Sequence, residues 1–294
     1  MIPEEILKKV RHIEIATRDL VNSLFSGEYH TAFKGQGMEF AEVREYQYGD
    51  DIRQIDWNVT ARNRAPFIKV FTEEREQILM LVIDASGSGS FGTLNQMKGE
   101  LAIEVAAVLA FSAIKNNDKV GLIIFTDRIE KYVPPAKGKS HVMRVIRELL
   151  YFKPQGKLTS ITTALEFLNR VTNRKSICLL VSDFLDADFE HSLKICQKRH
   201  DLIALSIMDP RESEIPDVGL IELKDAETGE IVLVNTSDSQ VRDSFAHNAE
   251  DRRNLLKRLF SSLRVDHVRI RTDQAYTAPL MKFFRNRARH GTGR

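Results

Sequence analysis

The chain has 294 residues, enough for one or two domains with a substantial buried core. Apolar residues make up 43% and charged residues 29%, with 43 Lys and Arg against 41 Asp and Glu, a formal net charge of +2. That balance fits a globular protein and argues against a chain-wide polyanion binder. Two cysteines, Cys178 and Cys196, cannot build a disulfide framework or a four-cysteine zinc site, so a reducing, cytoplasmic setting is expected. The first twenty residues carry charges throughout, unlike a secretion signal. The most apolar helical stretch, Leu101 to Ile114, includes Glu104 and is too short to cross a bilayer.

In chain order, residues 3–24 read as a helix, with Ile6, Val10, Ile13, Ala16, Leu20 and Leu24 at helical spacing. Residues 38–72 hold short strand-like pieces, FAEV and PFIKVF, and a turn at Tyr48-Gly49-Asp50-Asp51. The character changes near Glu73 to Gln77. From there strands and helices alternate. Strand Ile78 to Ile83 leads to a buried helix from Met97 to Ile114, then to strand Val120 to Phe125 and a short polar strand, Lys131 to Val133. Ser140 reads as the N-cap of a helix through Tyr151. Helix Ile161 to Val171, strand Ile177 to Val181, helix 188–199 and strand Leu202 to Ile207 follow. A hairpin-like insert comes next, GLIELKDAETGEIVLV near 219–235, turning over Ala226 to Gly229. A long charged helix over 238–263, strand Asp266 to Arg271 and helix Ala278 to Arg289 complete the pattern.

Continuous apolar strands separated by helices predict an α/β fold with a doubly wound, mostly parallel sheet of Rossmann-like type. Residues 76–294 are expected to form this domain, and 1–75 a helix and short-strand extension packed on it. Open parallel sheets bind ligands at the C-terminal ends of their strands. One such end reads Asp84-Ala85-Ser86-Gly87-Ser88, and another Val181-Ser182-Asp183. Leu158-Thr159-Ser160-Ile161 precedes a helix on the same rim. Carboxylates and hydroxyls converge there without His or Cys. Oxygen-only ligands suit a hard cation, Mg²⁺ above all, with Mn²⁺ or Ca²⁺ as alternatives.

Asp84-x-Ser86-x-Ser88, then Thr159, then Asp183, resembles the metal-ion-dependent adhesion site of von Willebrand factor A domains. The resemblance implies direct ligation by Ser86, Ser88 and Thr159, and water-mediated roles for Asp84 and Asp183. Ser160, Thr162 and Thr163 are alternatives to Thr159. A metal held by neutral hydroxyls stays electrophilic, and a partner carboxylate can complete its shell. Nothing in the arrangement demands catalysis, and the chain is read as a non-enzyme.

The block over 33–76, FKGQGMEFAEVREYQYGDDIRQIDWNVTARNRAPFIKVFTEERE, resembles the signature of the bacterial MoxR-associated family, domain-of-unknown-function family fifty-eight. The resemblance implies a MoxR-type AAA+ ATPase as partner, with the pair acting in chaperone-like remodelling or maturation of a client protein. Arg44, Asp50, Asp51, Arg53, Asp56, Trp57, Arg62 and Arg64 crowd this block. They fit an internal ion-pair lattice. Arg44, Arg53, Asp56, Trp57 and Arg62 also fit a docking face, since Trp and Arg dominate interface hot spots.

Other signals carry less. Gly87-Ser88-Gly89-Ser90-Phe91-Gly92 spells G-x-G-x-x-G, but the next strand ends at Thr126-Asp127, about 35 residues further on rather than about 20, and Asp84 would repel pyrophosphate. Dinucleotide binding is therefore not expected. No Walker A motif, nucleophile elbow or H-E-x-x-H is present. Residues 250–294 hold 12 basic and 4 acidic residues, and Arg285, Arg287, Arg289 and Arg294 read as a basic, solvated helix end. The expected function is a metal-dependent protein-binding adaptor. The alternatives are a Mg²⁺-dependent enzyme acting on phosphate esters and a nucleic-acid adaptor using the basic tail.

Overall fold

The computed structural model describes residues 21, 29, 31–33, 38–63, 65–73, 76–92 and 96–290. Apart from Val21, the expected helix over 3–24 lies outside the described residues, as do Arg64 and Arg294.

Strand β1 (Met38–Glu45) pairs antiparallel with β2 (Phe67–Glu73), and a short helix, α1 (Trp57–Asn63), sits between them. The sequence names no helix over 57–63, where WNVTARN has no apolar stripe. A cap makes it helical: Asp56 Oδ1 accepts from the backbone N–H groups of Asn58 (2.9 Å) and Val59 (3.2 Å).

The main body follows in order. It runs β3 (Ile78–Asp84), α2 (Lys98–Lys115), β4 (Lys119–Phe125), β5 (Ile129–Ala136), α3 (Lys139–Tyr151), α4 (Ile161–Val171), β6 (Ile177–Ser182), α5 (Glu190–Arg199) and β7 (Asp201–Met208). The hairpin β8 (Leu220–Lys224) and β9 (Ile231–Asn235), helix α6 (Ser239–Ser262), strand β10 (Asp266–Arg271) and helix α7 (Thr277–His290) complete it. The predicted elements recur within a residue or two at most ends. Ser140 is not the cap of α3: the cap is two residues earlier, at Gly138 with φ 92°. A positive φ suits glycine, which has no Cβ to clash there.

Six strands form the sheet, in the order β10-β7-β6-β3-β4-β5. All neighbours are parallel except β4 and β5. Edge strand β5 carries Pro134 and Pro135, which cannot donate to a ladder and so belong at an edge. Helices cover both faces, and β3 shows why its run is continuously apolar. Leu79, Leu81 and Ile83 face one core with α2, α3 and α7, while Met80 and Val82 face the other with α4, α5 and Phe260 of α6. Helix α2 is buried over most of its circumference, as its nearly unbroken apolar sequence requires.

Arg287 corrects the picture of a solvated basic tail. Its side chain is 10% exposed and pairs with Asp201 of β7 and Asp266 of β10. Its Nε donates to Ala32 O at 3.1 Å, and its guanidinium lies 4.8 Å from the Phe33 ring centre. Phe33 in turn packs on Phe284 of α7, with ring centres 5.7 Å apart. One arginine thus ties α7, two strands and residues 32–33 together.

Two histidines are held neutral. Burial, then the charge of Arg199, pushes His200 down to about 4, and its Nδ1 lies 3.0 Å from Ser176 Oγ. Burial, then Arg269, does the same to His267, whose Nε2 is 2.7 Å from Ser206 Oγ.

Two stability predictions follow from these contacts. Arg287→Ala removes a shared counter-charge from two partly buried carboxylates and is expected to cost about 2–3 kcal/mol, below the usual figure for fully buried pairs because both acids keep some contact with water. The midpoint of urea unfolding checks it. Both histidines bind a proton more readily unfolded than folded, so their contribution is complete above about pH 6.5 and is lost as the pH falls toward about 4. His267→Gln is expected to narrow the difference in melting temperature between pH 7 and pH 5 relative to wild type.

Candidate metal centre

The strand order reverses between β3 and β6: from β3 the chain moves out to β4 and β5 on one side, and later through β6, β7 and β10 on the other. The crevice at the C-terminal ends of β3 and β6 is where an open parallel sheet leaves room for a ligand. Asp84 ends β3, and Ser182 ends β6 with Asp183 next.

Asp84 is fixed at both oxygens. Oδ1 accepts from Ser86 N at 2.9 Å, and Oδ2 accepts from Ser182 Oγ at 2.6 Å, a bond that spans the crevice. The first of these bends the chain sharply after β3, so that Ser86 Oγ and Ser88 Oγ come 3.1 Å apart. Burial, then the charge of Asp183, raises the Asp84 carboxyl to about 6, against the pull of the hydrogen bonds from Ser182 and Ser86. Gly87 N donates to Lys157 O at 2.8 Å, which draws this loop against the one carrying Thr159. Thr159 Oγ1 donates to Glu227 Oε1 at 2.7 Å. Ser160 is the N-cap of α4, its Oγ accepting from Thr163 N and lying 2.9 Å from Thr163 Oγ1. Those two hydroxyls are therefore engaged in the cap, whereas Thr159 points to the acidic group across the cleft.

Asp183 is engaged differently from Asp84. Its Oδ1 accepts from Leu185 N at 3.2 Å, and its Oδ2 takes a hydrogen bond of 2.6 Å from Lys98 Nζ. Lys98, whose side chain is 4% exposed, also donates to Glu212 Oε1 at 2.5 Å. Burial disfavours its charge, but Asp183 and then Glu212 outweigh that and hold its pKa above the ordinary value. Lys98 begins α2, where the helix dipole opposes a cation, so its burial there depends on the two carboxylates.

Among the described residues no three His, Cys, Asp or Glu side chains form a metal-binding group. A cation here would therefore depend on hydroxyl oxygens. The Ser86–Ser88 separation fits that chemistry, because two adjacent ligands on an octahedral Mg²⁺ at 2.0–2.1 Å stand about 2.9 Å apart. Asp84 lies behind this pair as the nearby anion. Asp183 fits less directly, since Lys98 already meets its charge.

Sequence reasoning missed Ser182, Lys98, Glu212 and Glu227. Ser182 was legible beside Asp183. Lys98 carried a signal as well, since a lysine opening an apolar helix needs a carboxylate partner. Nothing local marked Glu212 or Glu227.

The residues expected to dock a partner divide. Arg44 is locked to Asp50 by two bonds of 2.8 Å, and Asp56 caps α1, so both serve the local fold. Arg53, Arg62 and Trp57 are exposed, Trp57 at 69%. Among the described residues none of these five hydrogen-bonds to Asp84, Ser86, Ser88, Thr159 or Asp183. Gly87–Ser90 forms a single 3-10 turn, and α2 begins only at Lys98, so G-x-G-x-x-G does not open a helix as a dinucleotide fingerprint must.

Comparison with known proteins gives the following. The uncharacterized protein Rv1480 of Mycobacterium tuberculosis is 31% identical over 283 residues, 95% of this chain and 89% of the relative. The BatB protein of Bacteroides thetaiotaomicron aligns with a TM-score of 0.48 and 16% identity over 72% of this chain and 99% of that one. Proximal thread matrix protein 1 of the mussel byssus, in a form with a zinc-occupied MIDAS motif, aligns with a TM-score of 0.37 and 18% identity over 45% and 38% of the two chains. No helix among the described residues is long and apolar enough to cross a membrane. Residues 42–255 match the family described as "protein of unknown function DUF58", and the chain belongs to that family.

Proposed function

We propose that this protein is a metal-dependent protein-binding adaptor of the cytoplasm. A divalent cation, Mg²⁺ before Mn²⁺ or Ca²⁺, is held by Ser86, Ser88 and Thr159, with Asp84 and Asp183 behind them. The observation that carries the reading is the Ser86–Ser88 hydroxyl pair, 3.1 Å apart on a loop pinned by Asp84 at the crevice of the sheet. When bound, the cation supplies an electrophilic coordination position that a carboxylate can fill. The chain's own residues prepare that position. Asp84 is oriented by Ser182, and the neutral hydroxyls leave most of the metal charge unquenched. Lys98, shared by Asp183 and Glu212, offsets part of the negative charge that would repel an acidic partner.

In this reading the described residues from 76 onward are a doubly wound von Willebrand A-like domain, supported by the strand order, and the described residues before 76 belong to a family-specific segment. The partner is a MoxR-type AAA+ ATPase acting with the adaptor on a client protein, as the sequence resemblance implies. Arg53, Trp57 and Arg62 supply an additional exposed contact. The reading assigns no reaction to the chain.

Replacing Ser86 and Ser88 together by Ala is expected to lower Mg²⁺ affinity by more than the roughly ten- to hundredfold that loss of an outer partner of a metal ligand costs, without unfolding the chain. Calorimetric titration checks it, and equal affinity in wild type and variant contradicts the site. In host lysate, a tagged wild-type chain should recover an AAA+ ATPase with Mg²⁺ present and lose it with EDTA. Recovery indifferent to metal would move the contact to residues 33–76.

A further inference from the structure

The hairpin β8–β9 is poorly anchored along its length. Eight of its ten strand residues are exposed, including Leu220, Leu223, Ile231, Val232 and Leu233. Such an element gains little from burial and opens at low cost unless something holds its tip. The tip lies on the candidate metal centre. Glu227 Oε1 accepts from Thr159 Oγ1 at 2.7 Å. Its neighbour Ala226 presses on the serine loop: a Cβ added at Gly87 would stand 2.4 Å from Ala226 O and 3.0 Å from its carbonyl carbon. Only glycine at 87 lets the two backbones come this close.

The tip is also rigid. Asp225 Oδ1 accepts from the backbone N–H groups of Glu227 (2.9 Å) and Thr228 (2.7 Å). Asp225 N donates to Glu230 O at 2.8 Å, and Gly229 closes the turn at φ 76°. These bonds fix the backbone from which the Glu227 carboxylate projects. The Glu227–Thr159 separation, like that between Ser86 and Ser88, is close to the distance of about 2.9 Å between adjacent ligands of one octahedral Mg²⁺.

We propose that Glu227 is a ligand of this metal centre supplied by the chain itself. Its carboxylate takes the position that an acidic partner residue would otherwise fill, so the hairpin closes the site and a partner enters by displacing it. The inference rests on the metal-site reading above. It makes the hairpin an internal competitor: partner affinity is reduced by whatever fraction of molecules has the tip seated. It also accounts for an exposed, apolar hairpin whose tip, rather than its strands, contacts the site.

The test uses Mn²⁺ as probe, with free Mn²⁺ followed by electron paramagnetic resonance and the hairpin by hydrogen exchange over 219–235. Three full-length proteins are compared: wild type, Glu227→Gln, and the Ser86→Ala, Ser88→Ala double variant. Mn²⁺ is expected to slow exchange in the hairpin of wild type and not of Glu227→Gln. Glu227→Gln should bind Mn²⁺ about tenfold more weakly. Added acetate, a free carboxylate, should restore part of that affinity in Glu227→Gln and do nothing to wild type. If the double variant loses Mn²⁺ while Glu227→Gln binds it as wild type does and hairpin exchange ignores the metal, the site stands and the role of Glu227 is overturned. If the double variant binds Mn²⁺ as tightly as wild type, the site itself fails and this inference fails with it.

Discussion

Buried charge across the crevice between β3 and β6 is the constraint on which the rest of the site depends. Asp84 and Asp183 stand at the ends of the two strands where the chain changes direction, and burial, then the charge of Asp183, disfavours ionisation of Asp84. The protein answers them unequally. Asp183 receives a lysine, Lys98, carried in from the start of a buried helix and shared with Glu212. Asp84 receives hydrogen bonds from Ser182 and Ser86 and, among the described residues, no ion pair. That asymmetry leaves one side of the crevice with a shared lysine and the other with a buried carboxylate beside a pair of hydroxyls, the side on which the proposed cation would sit.

The same arrangement explains why the loops lie where they do. Ser86 reaches Ser88 because its backbone is turned by Asp84. Gly87 is pressed between Lys157 and Ala226, which brings the threonine loop and the hairpin tip to the serine loop. The segments that converge come from three distant parts of the sequence. Their meeting depends on the parallel sheet, which sets the ends of β3 and β6 side by side.

Much of this was legible in the sequence. The unbroken apolar runs of β3, β4, β6 and β7 could only be strands covered on both faces, and the helices between them followed from period and length. Asp84, Ser86, Ser88, Thr159 and Asp183 stood at strand or helix ends, where position in the fold is nearly dictated by the alternation. What escaped was of two kinds. Some residues are fixed by partners remote in sequence: Lys98 with Asp183 and Glu212, Arg287 with Asp201 and Asp266, and Glu227 with Thr159. Composition marks such residues as charged and therefore as surface, which is how Arg287 came to be read as part of a solvated tail. Others depend on a single local bond, as α1 depends on its Asp56 cap and α3 on the backbone of Gly138. A seven-residue helix without an apolar stripe leaves no periodic trace.

Whether the hydroxyls beside Asp84 hold a divalent cation, as proposed, is tested most directly by a crystal grown with Mn²⁺ and measured for anomalous scattering. One strong peak is expected within about 2.0–2.3 Å of both Ser86 Oγ and Ser88 Oγ, on the side facing Thr159. A fully occupied Mn²⁺ elsewhere, with the Ser86 and Ser88 hydroxyls still 3.1 Å apart and bonded to one another, would contradict the proposal.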